Sequence, residues 1–378
     1  MIILVINSGS SSLKYQVREG DDVLAQGLIE SIGEEWVPDH AAAIEHFDTE
    51  LAVILQGKTI DAVGHRVVHG GERFGEPVLI TPEIIRAIER LNPLAPLHNP
   101  ANVLGIRAVA QKWPGIPQVA VFDTAFHRTL PERAWRYAVP NELYTKHGIR
   151  RYGFHGTSHD YVTGKAAEFL GTPRENFHAV IAHLGNGASV TAVRGGRSID
   201  TSMGFTPLEG LVMGTRSGDI DPSILLFLAR EGYSPEDLDT LLNRESGLRG
   251  LAGTNDMRSV EKAADGGDKA AQLALEIAAY RLAKYIGGYH VAVGGAHALV
   301  FTAGIGENSS SFRSLVAGEL TALGIELDPE LNEPRGSSAR VVSTAGSAMP
   351  VLVVPTDEEA AIAEATAATV GAAAAAGS

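Results

Sequence analysis

The amino-acid sequence predicts an α/β protein made of two related domains. Three observations lead to this prediction: the chain has 378 residues, short apolar strands alternate with helical segments, and the opening pattern of the first half returns in the second. A chain of this length ordinarily folds into two or three domains and buries substantial cores. Its 44% hydrophobic and 20% charged residues are typical of a globular protein.

The chain opens with an apolar strand, over residues 2–6, that runs into a polar turn. This turn, from Asn7 to Lys14, reads Asn-Ser-Gly-Ser-Ser-Ser-Leu-Lys, and an alternating strand follows it through Val17. Asn, Gly and Ser tolerate tight turns and leave backbone N–H groups free to bind an anion. Lys14 adds a positive charge where a phosphate could sit. The pattern predicts a phosphate-facing hairpin, and a polar turn without a ligand is the alternative.

Hydrophobic periodicity and turn residues predict the other elements in order. They are strands over 13–17 and 23–29, a helix over 40–56, a strand over 60–68, a helix from 82 to 91, a helix after 100, strands over 118–122, 179–183 and 189–193, helices over 223–230 and 268–286, strands over 297–302 and 350–354, and an Ala-rich helix from about 361.

The second half of the chain opens like the first, with a strand, a Gly-rich turn and a returning strand. The turn at 184–188 reads Leu-Gly-Asn-Gly-Ala. At a constant offset of 176 residues, four positions of the first half fall on identical residues of the second: Gly9 on Gly185, Val17 on Val193, Arg18 on Arg194, and Gly20 on Gly196. This repeat predicts a duplication in which each domain carries a phosphate-facing hairpin and the two clasp one ligand, and accidental matches are the alternative.

Composition excludes several classes of function. The formal net charge of −14 argues against nucleic acid or an anionic membrane as partner. The absence of Cys excludes disulfides, thiolate chemistry and Cys-ligated zinc. The first apolar run has five residues and no basic start, so it reads as a strand and not as a signal peptide. No segment supplies the roughly 20 apolar residues of a spanning helix, so we expect a cytoplasmic protein.

Two short motifs suggest sites that their context does not support. Gly57-Lys58-Thr59 resembles the end of a phosphate-binding P-loop, but residue 52 is Ala where the leading Gly should be. His155 and His159 have the four-residue spacing of a helical zinc site, but Gly lies between them and no Glu accompanies them. We therefore expect a surface turn and no zinc.

Charged and polar side chains follow several predicted strands or lie in turns, several of which are rich in Gly. These are Arg66, Asp123, His155, Arg216 and the pair Glu358-Glu359. Each alone reads as a solvated loop charge. Together they supply what phosphoryl transfer needs: cations for the phosphoryl oxygens, carboxylate and amide oxygens for Mg²⁺, and glycine backbone against phosphates.

Eight segments, spread from one end of the chain to the other, resemble those of the acetate kinase (acetokinase) family. They are Asn7–Lys14, His65–Glu72, Phe122–His127, Arg151–His159, His183–Ser189, Asp200–Pro222, Gly304–Asn308 and Thr356–Glu359. That family belongs to the acetate and sugar kinase, Hsp70 and actin superfamily. The resemblance implies two duplicated RNase H-like (actin-like ATPase) domains with a central interdomain cleft. It places the first domain at 1–125 plus about 360–378, and the second at 126–359.

The resemblance also implies a role for each matched residue. Asp123, His155 and Arg216 would be catalytic, and Arg66 would hold the substrate carboxylate. Val68, Leu97, Phe154 and Pro207 would form a small apolar pocket for the substrate methyl group. Asn7 and Glu358 would hold Mg²⁺, with Mn²⁺ as an alternative. The nucleotide would be bound by Lys14, His183, Leu184, Gly185, Asn186, Gly187, Asp256, Met257, Arg258, Gly304, Ile305, Gly306, Glu307 and Asn308.

The implied reaction is the reversible transfer of the γ-phosphoryl group of ATP to acetate, which gives acetyl phosphate and ADP. Acetate resembles a Glu side chain, whose pKa is about 4.3, so it is ionised at neutral pH and needs no general base. We therefore expect Asp123 to orient Arg66, Arg216 or the metal ligands. Asp357 departs from the family pattern, in which many members have Asn, and adds an acid next to Glu358 and Glu359.

Three alternatives follow from the same residues. A propionate or butyrate kinase differs by methylene groups that an apolar pocket discriminates only by about 1–3 kcal/mol each. A non-enzymatic ATP clamp like Hsp70 would not need Arg66 beside an apolar pocket. A sugar or glycerol kinase would need a polar hydroxyl-binding site and a base. The resemblance also implies a homodimer formed through the second domain.

Overall fold

The computed structural model describes residues 1–34, 36–55, 57–96, 98–333 and 335–377. The chain divides into two compact units. Unit 1 comprises Met1–Arg128, Gly156–Ser158 and the residues from Asp357 onward, and unit 2 comprises Thr129–His155 and His159–Thr356. The domain boundaries implied by the family resemblance stay a prediction.

The strands are β1 Ile2–Ser8, β2 Ser12–Glu19, β3 Asp22–Glu30, β4 Ala62–Val67, β5 Val78–Leu79, β6 Gln118–Phe122, β7 His178–Leu184, β8 Ala188–Arg194, β9 Arg197–Thr201, β10 Ala298–Thr302, β11 Arg340–Val341 and β12 Val351–Val353. The predicted strands are confirmed, with ends that differ by at most two residues.

The α-helices are α1 His40–Leu55, α2 Pro82–Glu89, α3 Asn99–Lys112, α4 Glu132–Trp135, α5 Asn141–His147, α6 Gly156–Phe169, α7 Ser223–Arg230, α8 Pro235–Arg244, α9 Gly247–Ala252, α10 Met257–Asp265, α11 Lys269–Val293, α12 Ala303–Asn308, α13 Ser310–Glu319, α14 Pro329–Asn332 and α15 Glu358–Gly377. Short 3-10 helices lie at Asn92–Leu94, Ala125–Thr129, Arg174–Asn176 and Thr321–Leu323. None of the described helices is both long and apolar enough to cross a membrane.

Each unit contains one six-stranded mixed sheet, and the two sheets have the same topology. The order is β3-β2-β1-β4-β6-β5 in unit 1 and β9-β8-β7-β10-β12-β11 in unit 2. In both sheets the first three strands are antiparallel, the next two are parallel to the first, and a two-residue antiparallel strand closes the edge. The predicted α/β class with duplicated domains is therefore confirmed, and the arrangement is consistent with an actin-like ATPase fold.

The register of the two hairpins shows where the sequence repeat is misaligned. Ser8 pairs with Leu13 across the first turn, whereas Leu184 pairs with Ala188 across the second. The second turn is thus one residue shorter, so equivalent positions after it are offset by 175 and not by 176. The β-bulges agree, since they follow Val17 and Ala192. The predicted matches of Val17, Arg18 and Gly20 are each wrong by one residue, because a constant offset cannot represent a shortened turn.

The apolar run of β1 follows from burial on both faces of the sheet. Ile2, Leu4 and Ile6 pack with Ile44 and Phe47 of α1 on one face. On the other face, Ile3 and Val5 pack with Ile362 and Ala363 of α15. A strand covered on both faces shows a continuous hydrophobic run and no alternation. The C-terminal helix therefore completes the core of the N-terminal unit.

Candidate active site

The turn between β1 and β2 is shorter than the sequence predicts. Asn7 and Ser8 belong to β1, and Asn7 pairs with Lys14 in the ladder, so only residues 9–11 form the turn. The Gly9 N–H donates to the Ser12 carbonyl at 2.7 Å, and His40 Nε2 lies 3.0 Å from the Gly9 carbonyl oxygen. Lys14 is half-exposed and forms an ion pair with Glu359. These contacts fix the turn beside a solvent-accessible cation.

Arg66 and Asp123 form the central ion pair of unit 1. Arg66 Nε lies 3.1 Å from both carboxylate oxygens of Asp123, and Nη2 donates to Oδ2 at 2.5 Å. Glu358 Oε2 lies 3.8 Å from Arg66 Nε. Burial lowers the pKa of Arg66, but the charges of Asp123 and Glu358 outweigh burial and raise it. Arg66 therefore stays charged, and Asp123, only 1% exposed, contacts one of the three groups that we expected it to orient.

Two buried asparagines, which the sequence analysis missed, hold the ends of the strands beside Arg66. Asn102 accepts from the Val68 N–H at 3.1 Å and donates to the Ser8 carbonyl at 2.8 Å. Asn99 accepts from the His69 N–H and donates to the His69 carbonyl. Both lie in the first turn of α3, so α3 ties the end of β1 to the segment after β4. Their signal in the sequence is Asn within an otherwise apolar helical pattern.

The four residues predicted to line the methyl pocket are divided between the units. Val68 is buried in unit 1, and Phe154 is buried in unit 2. Pro207, also in unit 2, accepts a hydrogen bond from Arg216 through its carbonyl oxygen at 3.3 Å. Leu97 lies outside the described residues. The pocket itself stays a prediction.

The predicted metal ligands Asn7 and Glu358 lie at the end of β1 and at the first residue of α15. The additional acid, Asp357, is engaged elsewhere: it accepts from Arg18 Nη1 at 3.2 and 2.9 Å and from the Ala360 N–H at 2.8 Å. Asp357 thus caps α15 and is paired with a buried guanidinium. No group of three or more His, Asp or Glu side chains with metal-holding geometry occurs in the described part of the chain. An amide and a carboxylate oxygen are suitable donors for Mg²⁺.

His155 is the central histidine of unit 2. It precedes α6 in a left-handed backbone conformation, with φ of 55°. Its Nδ1 lies 2.9 Å from Ser189 Oγ, and the same hydroxyl lies 2.8 Å from His159 Nε2. The ring stacks on His183 with 4.2 Å between centroids and 23° between planes. A non-glycine residue in this conformation is strained, which is typical of functional sites.

Arg216 and His155 converge on Gly187, in the turn between β7 and β8. A Cβ placed on Gly187 would lie 3.4 Å from both Arg216 Nη1 and His155 Nε2. Arg216 Nη1 also contacts the Pro207 carbonyl and, at 3.7 Å, the sulfur of Met213. No carboxylate forms a salt bridge with Arg216 within the described residues. Burial lowers the pKa of Arg216 with no anion to offset it.

A buried arginine, Arg151, holds the loop that leads to Pro207. Its Nη1 donates to the carbonyls of Thr201, Ser202 and Met203 at 2.9–3.1 Å. Its Nη2 donates to Glu209 at 2.5 Å. Burial lowers the pKa of Arg151, but Glu209 together with Tyr137, Tyr289 and Asp200 outweighs this effect and raises it. Arg151 therefore binds a loop without regular structure, and its adjacency to Arg150 gave no signal of this role.

A pocket of about 600 Å³ lies in unit 2, in the size range of small-molecule sites. Eight of the residues predicted to bind nucleotide line it: Gly185, Asn186, Asp256, Met257, Arg258, Gly304, Ile305 and Asn308. Four lining residues were missed: Asn255, Glu261, Ser309 and Arg335. Of the other unit 2 residues predicted to bind nucleotide, His183, Leu184, Gly187, Gly306 and Glu307 are not among its lining residues.

Buried contacts hold α12, which supplies three of the residues that line this pocket. Arg313, 1% exposed, donates to the Gly306 carbonyl at 2.9 Å and to Asn332 Oδ1 at 2.7 Å. Burial lowers the pKa of Arg313 to about 10. Glu307 Oε1 accepts from the Thr356 N–H at 3.1 Å. Gly306 and Glu307 are therefore structural neighbours of the pocket.

Comparison with known proteins places these features in a family. The model of the Acetokinase family matches residues 2–364. An acetate kinase from Arthrobacter sp. (strain FB24) is 71% identical over 98% of this chain and 99% of its own length. The crystal structure of Porphyromonas gingivalis acetate kinase is similar, with a TM-score of 0.92, 45% identity, and 98% and 99% of the two chains covered. A propionate kinase from Francisella tularensis has a TM-score of 0.93, 42% identity, and coverage of 97% and 99%.

Proposed function

This chain belongs to the acetokinase family, and we propose that it is an acetate kinase. In the reaction an acetate oxygen attacks the γ-phosphorus of ATP in line with the leaving group. The bond between that phosphorus and the β–γ bridging oxygen breaks, and its electron pair leaves with ADP. The products are acetyl phosphate and ADP, and the transfer is reversible.

One observation supports this proposal: Arg216 is a partly buried guanidinium with which no carboxylate of the described residues forms a salt bridge. Placing a cation in such a site costs free energy unless an anion arrives to pair with it. Arg216 faces the same point above Gly187 as His155, in the turn that also contributes Gly185 and Asn186 to the 600 Å³ pocket. A phosphoryl group carries its charge on three oxygens, and preorganised cations stabilise the charge of its transition state.

Arg66 is assigned to the acceptor because acetate, like other carboxylates, is recognised by the fork of a guanidinium. Asp123 occupies one edge of Arg66 through Nε and Nη2, which fixes the orientation of the side chain. Since acetate is already ionised at neutral pH, Asp123 has no proton to remove from it. We therefore assign Asp123 to orientation of Arg66.

Lys14 is assigned to the nucleotide phosphates, and the family implies ATP and ADP as substrates. Asn7 and Glu358 would hold Mg²⁺, or Mn²⁺ in its place, through an amide and a carboxylate oxygen. The metal would neutralise phosphate charge, which is the chemistry that phosphoryl transfer requires of it. Asp357 is an unsuitable ligand since it already neutralises Arg18.

A second candidate substrate is propionate, which the name of the Francisella tularensis structure suggests. One additional methylene group changes binding to an apolar pocket by only about 1–3 kcal/mol. Rates for formate, acetate, propionate and butyrate at equal concentrations would rank the acceptors. A maximum at acetate supports the proposal, and a maximum at propionate favours the second candidate.

We also propose that the protein is cytoplasmic, because it would draw ATP from the cytoplasmic pool. We further propose that it forms a homodimer through unit 2. Helix α7 has the sequence Ser-Ile-Leu-Leu-Phe-Leu-Ala-Arg and buries none of its residues. Leu226 is 61% exposed and Phe227 56% exposed, and Ile224 is exposed beside them. An exposed apolar patch of this kind typically marks an interaction site. The molar mass in solution tests the homodimer. We expect the mass of a dimer for the wild type and that of a monomer for a Leu226→Glu, Phe227→Glu variant.

The decisive experiment traps acyl phosphate with hydroxylamine while ADP formation is measured in parallel. An acetate kinase forms hydroxamate and ADP in equal amounts, and only when acetate is present. An Hsp70-like clamp would release ADP without hydroxamate and without dependence on acetate. The second result would contradict the proposed function.

A further inference from the structure

Ser189 Oγ lies between His155 and His159, in a position that none of the assigned roles explains. The hydroxyl is 2.9 Å from His155 Nδ1 and 2.8 Å from His159 Nε2. Ser189 and His159 are both fully buried. Ser189 lies on β8 and His159 on the first turn of α6, so the contact joins two elements whose positions are set by the core of unit 2.

Two contacts restrict the imidazole of His155 in different ways. Stacking on His183 fixes the plane of the ring. Stacking alone does not distinguish the two faces of the His155 ring. A rotation of that ring by 180° would exchange Nδ1 with Cδ2 and Nε2 with Cε1, and would change which atom points at Gly187. The hydrogen bond to Ser189 removes this ambiguity, because only a nitrogen can make it. Nε2 is therefore the atom that faces Gly187 and Arg216.

The hydroxyl also restricts the tautomer of His155. A serine hydroxyl has one proton, so it can donate to only one of the two histidines that it contacts. If His159 donates its Nε2–H to Ser189, the hydroxyl proton is available to His155 Nδ1. Neutral His155 then carries its own proton on Nε2, which points at Gly187. A donor at that position is what an incoming phosphoryl oxygen requires.

We propose that Ser189 and His159 are positioning residues that hold His155 as the Nε2–H tautomer with Nε2 directed beside Arg216. The inference deepens the proposed function and rests on it for its catalytic consequence. The geometry of unit 2 admits either direction along this chain of hydrogen bonds, and the proposal assigns the direction that places the proton of His155 on Nε2. The wider principle is that partners behind a functional imidazole set its tautomer and orientation, and that their loss typically costs about 10- to 100-fold.

The first test reads the tautomer without turnover. Two-bond ¹H–¹⁵N spectra of the full chain labelled at histidine distinguish protonated from unprotonated ring nitrogens, and a His155→Gln variant assigns the signals. We expect neutral His155 to be protonated on Nε2 in the wild type and to become a mixture of tautomers in Ser189→Ala. A wild-type signal protonated on Nδ1 would overturn the assignment, whether or not any variant folds.

The second test measures coupling between Ser189 and His155. Ser189→Ala should lower kcat by about 10- to 100-fold with little change in either KM, and Ser189→Thr, which keeps the hydroxyl, should recover much of the rate. In a His155→Ala background, Ser189→Ala should have almost no further effect. An equal loss in both backgrounds would show a structural role and refute the proposal. If the wild type forms no acyl phosphate, the proposed function fails while the tautomer result still stands.

Discussion

Arg66 in unit 1 and Arg216 in unit 2 are both largely buried arginines, but their surroundings differ. Arg66 donates to Asp123 through both Nε and Nη2 and lies near Glu358, and these charges raise its pKa. Within the described residues, Arg216 donates to a carbonyl oxygen, contacts a sulfur atom and has no carboxylate partner, and burial lowers its pKa. In the proposed reaction, this difference assigns Arg66 to the singly charged acetate and Arg216 to the more highly charged phosphoryl group.

The largest expected effect follows removal of the unpaired cation. Arg216→Ala should lower kcat by about 10³-fold or more, because arginines that stabilise a transferring phosphoryl group contribute on this scale. The rate of acetyl hydroxamate formation at saturating ATP and acetate measures the effect. Arg244→Ala, at an exposed position in the last turn of α8, is the matched control. A loss of only a few-fold would remove Arg216 from the mechanism.

Removal of Arg66, the arginine paired with Asp123, should weaken the binding of acetate. Arg66→Ala should raise the KM for acetate by about 10- to 100-fold, which is the value of a charge-assisted hydrogen bond, and should raise the KM for ATP much less. Initial rates with each substrate varied in turn give both constants. Arg86→Ala, on the exposed face of α2, is the control. Equal changes in the two KM values would refute the assignment of Arg66 to acetate.

A methyl group on Gly187 would test whether His155 and Arg216 act at one point. Gly187→Ala adds a Cβ 3.4 Å from both side chains, which is ordinary van der Waals contact, so folding should be preserved. The methyl occupies space that the phosphoryl group needs, and kcat should fall by about 10- to 100-fold. Gly287→Ala, whose Cβ meets nothing within 4 Å, is the control. An unchanged kcat would contradict convergence at Gly187.

The smallest expected effect is on the free energy of unfolding in acid, to which two buried histidines of unit 1 contribute. Burial lowers the pKa of His65 to about 4 and that of His69 to about 4, both in unit 1. The unfolded chain binds protons on these rings near pH 6.5 and the folded chain does not, so stability falls as the pH drops from about 6.5 toward 4. Between pH 7 and pH 5 each ring should cost about 2 kcal/mol.

His65→Gln should remove its share of this pH dependence while it retains a partner for Gln118, which bonds His65 at 2.8 Å. Urea unfolding at pH 7 and pH 5 gives the free energies. His46→Gln, at an exposed position on α1, should leave the difference between the two pH values as in the wild type. The prediction fails if His65→Gln shows that same difference.

Much of the fold and of the candidate site was predictable because its signals are local. The apolar run of β1 and the Gly-rich turns after β1 and β7 lie within short stretches of sequence. The hydrophobic pattern of the strand follows from its burial, and the turns are marked by their residue types. The residues that line the nucleotide-sized pocket were predictable where they formed part of a continuous motif. Asn255 and Ser309 were missed because the predicted segments Asp256-Met257-Arg258 and Gly304–Asn308 stop one residue short of them. Glu261 and Arg335 were missed because each is an isolated charged residue with an ordinary solvent-exposed interpretation.

Tertiary structure decided the pairings between distant residues. Arg18 and Asp357 are 339 positions apart, and only the return of the chain to unit 1 before α15 brings them together. The offset between the two hairpins changed from 176 to 175 because one turn is shorter.

Local hydrophobic pattern and the repeated hairpin were enough to predict the duplicated α/β class, and the resemblance of continuous motifs to a family named the charged side chains of the candidate site. Long-range packing set the state of those charges: Arg66 is paired with Asp123, whereas Arg216 has no carboxylate partner among the described residues. A short stretch of sequence does not encode this distinction, because the pairing of a charge depends on what packing places within a few ångströms of it.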